Sequence, residues 1–147
     1  MLRNIPEALS PELLKTIAEM GHGDTITIGD AYFPAASIAE RGRLIRMDGV
    51  RATAVIDGIL ALMPLDVDYA EHPFIIMDLM DKDRGRIATP IWDEYISIVE
   101  KYEPKGRGAV GFAERFAFYD LARKSFAVVA TGEQAVYGCA IMQKGIK

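Results

Sequence analysis

The chain has 147 residues, half of them apolar, and its charges nearly cancel: 17 Lys and Arg against 21 Asp and Glu, a formal net charge of −4. That suits one globular domain over residues 1–147 with a core of its own, and it gives no electrostatic reason to expect nucleic acid or an anionic membrane as partner. One cysteine, Cys139, and two histidines, His22 and His72, exclude an internal disulfide and leave too few soft ligands for a structural metal cage.

In chain order, Ser10-Pro11-Glu12 marks a helix start, with Ser10 as N-cap, Pro11 at the first helical position and an acid in the first turn. Leu13, Leu14, Ile17 and Ala18 form its apolar face and Gly21 supplies the stop. Thr25 to Ile28 alternates with period two, a strand, and ends at Gly29-Asp30. Leu44 to Met47 predicts a second strand, and Asp48 a cap for a helix from about Val50 to Met63, with Pro64 beyond it. Phe74 to Met77 is a continuous apolar run, as expected of a strand covered on both faces. A polar turn, Asp81 to Arg86, leads to a helix from Ile91 to Tyr102 with Trp92, Tyr95, Ile96 and Val99 on one side. The glycine-rich stretch Lys105 to Gly111 reads as a loop. A helix from about Arg115 to Lys124, a strand Phe126 to Ala130 and a last strand around Cys139 to Met142 follow. Helices and strands alternate, so the class is layered α/β. No window approaches the roughly 20 apolar residues of a membrane helix, and the first residues hold no apolar core of signal-peptide length; a cytoplasmic protein is the expectation.

Two motif matches fail on context. Gly106-Arg107-Gly108-Ala109-Val110-Gly111 fits G-x-G-x-x-G, but Pro104 and a helix stand where a dinucleotide site needs a strand, so a solvated connection fits better. Asp81-Lys82-Asp83-Arg84-Gly85 opens like a calcium loop, yet its twelfth residue is Trp92 instead of glutamate.

Other residues carry more chemistry. His22 lies between Gly21 and Gly23, where a helix gives way to a strand, and an imidazole titrating near neutrality suits proton transfer in either direction. Its other reading is a loop histidine bonded to a carboxylate such as Asp24. Asp30 stands at the carboxyl end of the first strand, the edge where α/β folds hold ligands, with Tyr32 and Phe33 close behind; a turn aspartate is the alternative. The strand between His22 and Asp30 separates them by roughly 20 Å at most. Arg115 and Tyr119 offer a cation and a phenol at a helix start, or core packing. Tyr137-Gly138-Cys139 reads as the start of the last strand, and His72 as an exposed loop residue.

Glu12 to Lys15, Glu19-Met20-Gly21-His22-Gly23-Asp24, Asp30-Ala31-Tyr32-Phe33-Pro34, Arg115 to Tyr119, Thr131-Gly132-Glu133 and Tyr137-Gly138 together resemble the L-fucose mutarotase and D-ribose pyranase family (RbsD/FucU-like), on its fucose branch. The resemblance spans nearly the whole chain. It implies a three-layer α/β/α sandwich with a mixed sheet, and ring-shaped homo-oligomers, commonly decamers, with monosaccharide sites between neighbouring subunits. It implies His22 as proton donor, and sugar contacts from Asp30, Arg115, Tyr137 and Cys139; Tyr119 is added as a nearby phenol. The expected activity is interconversion of the anomers of L-fucose or a related aldose. One group protonates the ring oxygen while another takes the anomeric hydroxyl proton, and neither metal nor organic cofactor is needed. Asp30 serves as base or hydroxyl anchor. Two positions depart from the family pattern: Cys139 stands where asparagine is usual, a weak donor for a two-way amide, and Tyr32 where the fucose branch has histidine or asparagine. The rival reading is a non-catalytic monosaccharide-binding protein of a transport or regulatory system; a nucleotide-binding protein using the Gly106 loop is a third.

Overall fold

The computed structural model describes residues 2–40 and 42–147. Helix α1 (Pro11–Glu19) starts as its sequence dictates, the Ser10 hydroxyl accepting the Leu13 N–H at 3.2 Å. It does not end on Gly21. Met20 is already extended, and Lys144 Nζ donates to the carbonyls of Ile17 (2.8 Å) and Met20 (2.6 Å). A cation from the far end of the chain thus closes the helix, favourably placed against its C-terminal dipole.

Strand β1 (Thr25–Gly29) alternates in sequence although both of its faces are buried. Ile26 and Ile28 enter one core, while Thr27 turns the other way, its hydroxyl 2.7 Å from that of Ser125. A short helix, α2 (Ala35–Ile38), precedes β2 (Leu44–Met47). Helix α3 (Ala52–Leu60) is shorter than the pattern predicts. Arg51 occupies its N-cap, because Asp48 pairs with Arg46 instead of capping. After β3 (Phe74–Met77) and α4 (Pro90–Tyr102), the glycine-rich stretch holds a strand that sequence reading takes for loop, β4 (Val110–Ala113). Glu114 caps α5 (Arg115–Arg123), accepting from the Phe116 and Ala117 N–H groups at 2.9 and 3.2 Å. Strands β5 (Ala127–Thr131) and β6 (Ala140–Gln143) complete the set. Tyr137-Gly138-Cys139 is a turn leading into β6, not its first residues.

The six strands form one mixed sheet in the order β2-β5-β1-β6-β3-β4. Only β6 runs against its neighbours, β1 and β3; the β1–β5, β2–β5 and β3–β4 pairs are parallel. Alternating side chains feed two cores. Ile26, Ile28, Val129 and Met142 pack with α1, α3 and α4, whereas Val128, Ala130 and Ile141 pack with α2 and α5. The result is the three-layer α/β/α sandwich that the family resemblance implies.

This topology sorts the functional candidates. The carboxyl ends of β1, β3, β4 and β5 and the entry to β6 share one sheet edge, where Asp30, Met80, Arg115, Glu133 and Cys139 emerge. The opposite edge carries His22 ahead of β1 and Lys144 after β6. Loops on the first edge are packed backbone to backbone. A Cβ at Gly132 would lie 2.1 Å from the Asp48 carbonyl oxygen, so Gly132→Ala must displace a main-chain segment. We expect a loss of about 1–3 kcal/mol, read by calorimetry as a Tm lowered by about 2–4 °C per kcal/mol.

Candidate functional site

At the carboxyl edge lies an open pocket of about 230 Å³. Drug-sized sites occupy roughly 300–1,000 Å³, so this one suits a single small molecule. Its polar wall is Asp30, Asp83, Arg115, Tyr119 and Tyr137; Phe33, Met77, Ile87 and Val136 supply the apolar side, and Cys139 the floor. Five of the six residues singled out from sequence therefore converge here, from the end of β1, the turn into β6 and helix α5. Tyr32, 66% exposed, stands at the rim.

Asp30 is 6% exposed and bonded at both oxygens, with one lone pair of Oδ1 left free. Its Oδ1 accepts the Tyr32 N–H at 3.0 Å, and its Oδ2 accepts the Gly138 N–H at 3.1 Å and the Cys139 thiol at 3.3 Å. Burial outweighs those bonds and holds the carboxyl above its ordinary range, nearer the pH at which it can exchange a proton. The Cys139 thiol is pushed up by burial, and further by the Asp30 charge. It is therefore a protonated donor to Asp30 and no nucleophile.

Arg115 Nε donates to the Tyr119 hydroxyl at 3.1 Å, and its Nη1 lies 3.6 Å from Met80 Sδ. Tyr137 occupies left-handed backbone space, φ 59°. For a bulky side chain that conformation costs about 1–3 kcal/mol and persists only where the surroundings fix it. They do so on every side. Trp92 Nε1 donates to the Tyr137 carbonyl (3.0 Å), Tyr95 OH to the Gly138 carbonyl (2.7 Å), and the Tyr137 hydroxyl to Asp83 Oδ2 (2.5 Å). Buried Glu133 accepts from Arg51 Nε at 3.2 Å and from the Ala135 N–H at 3.1 Å, closing the same loop from beneath. Burial raises the Tyr137 phenol, with the Asp83 bond adding to it, while that bond and Arg86 hold Asp83 below the usual carboxylate range.

His22 is elsewhere. Its Nε2 lies 3.2 Å from Asp66 Oδ2, and its ring meets Tyr69 edge-on at 5.0 Å. Asp24, the partner suggested by its proximity in sequence, accepts the Gly21 N–H instead (2.8 Å). Asp66 is almost fully buried and also accepts from Gln143 Nε2 at 2.8 Å. A carboxyl oxygen facing Nε2 favours the tautomer with its proton there, which leaves Nδ1 as the free nitrogen. Within one chain β1 lies between this imidazole and Asp30, and no loop folds back to join them.

Sequence reading passes over Asp83 and Asp66. Asp83 sits in a charged turn that resembles any solvated connection, and Asp66 reaches His22 only through the tertiary fold. Among the described residues, no group of three or more His, Cys, Asp or Glu side chains is arranged to hold a metal ion, and no helix is long and apolar enough to cross a membrane. The Gly106 motif forms a tight turn after α4 and before β4, without the preceding strand that a dinucleotide site requires.

Known proteins share this fold. The chain is 47% identical to fucose mutarotase from Homo sapiens over 148 aligned positions, covering 99% of this chain and 94% of that protein. FucU from Bifidobacterium longum superposes with a TM-score of 0.92 at 42% identity, covering 97% and 98% of the two chains. The fucose mutarotase from Streptococcus pneumoniae, solved in complex with L-fucose, gives a TM-score of 0.91 at 39% identity, covering 99% of each. The family model described as the RbsD / FucU transport protein family matches residues 3–147, and the chain belongs to that family.

Proposed function

We propose that the protein is a mutarotase that interconverts the anomers of L-fucose or a related aldose, with each site shared between two copies of the chain. The observation that carries the reading is the carboxyl-edge pocket: a buried Asp30, its carboxyl held above the ordinary range, beside Arg115, Tyr119 and Tyr137, in a chain 47% identical to a fucose mutarotase. A base takes the anomeric hydroxyl proton as an acid protonates the ring oxygen, and the bond from the anomeric carbon to that oxygen breaks. The freed aldehyde rotates, and the reverse steps close the ring on either face. Asp30 is the base or anchor. Arg115 donates to a sugar oxygen, and the phenols orient hydroxyl groups.

The acid is His22 of a neighbouring copy, its ring braced by Asp66. The edge that carries His22 and the edge that carries Asp30 are different surfaces, so their contact is head-to-tail, and such a contact builds a ring where the rotation between copies closes. Both edges expose apolar side chains suited to it: Leu62 and Tyr69 near His22, Phe116 and Val136 near the pocket. The family resemblance makes ten the expected number of subunits, a count that native mass spectrometry checks. The same reading puts the enzyme in the cytoplasm, which cell fractionation checks.

Saturation-transfer NMR over a panel of aldoses tests the activity. L-fucose or a close relative is expected to show anomer exchange that rises in proportion to protein concentration. Sugar binding with no acceleration for any aldose would sink the enzyme and leave a binding protein.

A further inference from the structure

We propose that Asp83 is a positioning residue for the sugar, acting through Tyr137: its carboxylate accepts the phenol's hydrogen bond and leaves the phenol oxygen facing the pocket as an acceptor. The proposal rests on the mutarotase reading above and adds to it a residue that acts through the phenol it holds.

A phenol has one proton to donate and two lone pairs. In Tyr137 the proton points at Asp83 Oδ2, 2.5 Å away, and one lone pair faces the Met80 N–H at 3.4 Å. What remains toward the pocket is a single lone pair. Asp83 is able to impose this because it is itself fixed. It is 5% exposed, its other oxygen pairs with Arg86, and its backbone belongs to the tight turn Asp81–Asp83, where its carbonyl accepts from the Ile87 N–H at 3.0 Å. Among the described residues, the neighbouring arginines are bonded elsewhere. Arg84 is engaged with Asp78 at 2.8 Å and Asp81 at 3.4 Å, and Arg115 with Tyr119. The strained backbone of Tyr137 then has a purpose, since it aims the ring across the pocket mouth to reach Asp83, which lies 54 residues earlier in the chain. Without that carboxylate the phenol is free to donate, and its polarity toward a ligand reverses. The pocket so arranged presents Arg115 as a donor opposite two acceptors, Asp30 and Tyr137. A sugar that fits places hydroxyl protons on the acceptors and an oxygen lone pair on the arginine.

The test is a double-mutant cycle on L-fucose exchange, with Tyr137→Phe crossed against both Asp83→Ala and Asp83→Asn, and thermal unfolding recorded for each protein. Tyr137→Phe alone and Asp83→Ala alone are each expected to lower kcat/KM about tenfold, chiefly through KM. Together they are expected to lower it about tenfold in total, not a hundredfold. Asp83→Asn keeps an amide oxygen for the phenol and is expected to stay within about threefold of the parent, with that small loss vanishing in the Tyr137→Phe background. Should Asp83→Ala fail to fold, the Asn cycle decides by itself. Losses that multiply in either cycle overturn the proposal while leaving the mutarotase intact. A parent protein that binds sugar without exchanging it would instead overturn the parent reading, and the cycle is then run on binding.

Discussion

Replacing His22 with alanine is expected to leave the fold standing and to cut anomer exchange by about 10²–10⁴-fold, the range for removing a positioned general acid. The imidazole is 41% exposed and its partner Asp66 keeps Gln143, so the Tm should move by no more than a few degrees. The sharper result comes from mixing. Asp30→Asn should be equally inactive, and for the opposite reason: it spoils the pocket of its own chain while its His22 remains intact. If each site takes His22 from one copy and Asp30 from the next, co-assembly of the two dead variants rebuilds intact sites. Random assembly of equal amounts pairs an intact His22 with an intact Asp30 at about one interface in four, so roughly a quarter of parental activity returns. A site contained within one chain predicts no recovery at any mixing ratio. The measurement is exchange NMR on co-expressed chains, with each variant alone as the baseline.

The same separation of residues shows what could be read from the sequence. Asp30 was legible because a strand followed by an acid at its carboxyl end is a local pattern, and α/β topology assigns that edge to ligands. His22 was legible as chemistry, an imidazole freed by flanking glycines, but its partner was not. Asp66 lies 44 residues away and meets it only because the loop after α3 returns to the amino edge of β1. Strand β4 escaped because it is short, lies at the sheet edge and follows a run of glycines, so no period of two could develop in Val110-Gly111-Phe112-Ala113. Tyr137 reads as strand in the sequence because its apolar neighbours fit one. Its left-handed φ is imposed from outside, by Trp92, Tyr95 and Asp83, and nothing in the triplet itself signals it. The elements came from local patterning, whereas the pocket came from contacts between distant segments.

Cys139 connects these points to specificity. Beneath the pocket, the thiol donates to Asp30 and the Asp30 N–H reaches back to the sulfur at 3.5 Å, so the pair is reciprocal and buried. A thiol engaged in this way offers a bound sugar little beyond an apolar surface. On the proposed reading, discrimination among aldoses falls to Arg115, Tyr119, Tyr137 and the rim residue Tyr32.

Asp30→Asn separates function from stability, and its sign follows from the raised pKa of the native carboxyl. An unfolded chain releases the Asp30 proton near the ordinary value of 3.8, while the folded chain holds it to higher pH. Between those two values the native state binds more protons, so the parent loses stability as pH rises through the window, and the loss is complete above the folded pKa. Asparagine does not titrate. The difference in Tm, variant minus parent, should therefore move in the variant's favour as pH rises from about 3 to 7, by calorimetry at matched ionic strength. The absolute offset also carries the amide's poorer fit: its oxygen can accept from the Tyr32 N–H or the Gly138 N–H, and its NH₂ then faces the other donor. That mismatch is common to every pH and leaves the slope intact. Activity should stay about 10²–10⁴-fold down at all of them, because an amide cannot take the anomeric proton. A difference in Tm that moves in the parent's favour with rising pH would mean that Asp30 is stabilised as an anion by its three donors, and that the pocket's base lies elsewhere.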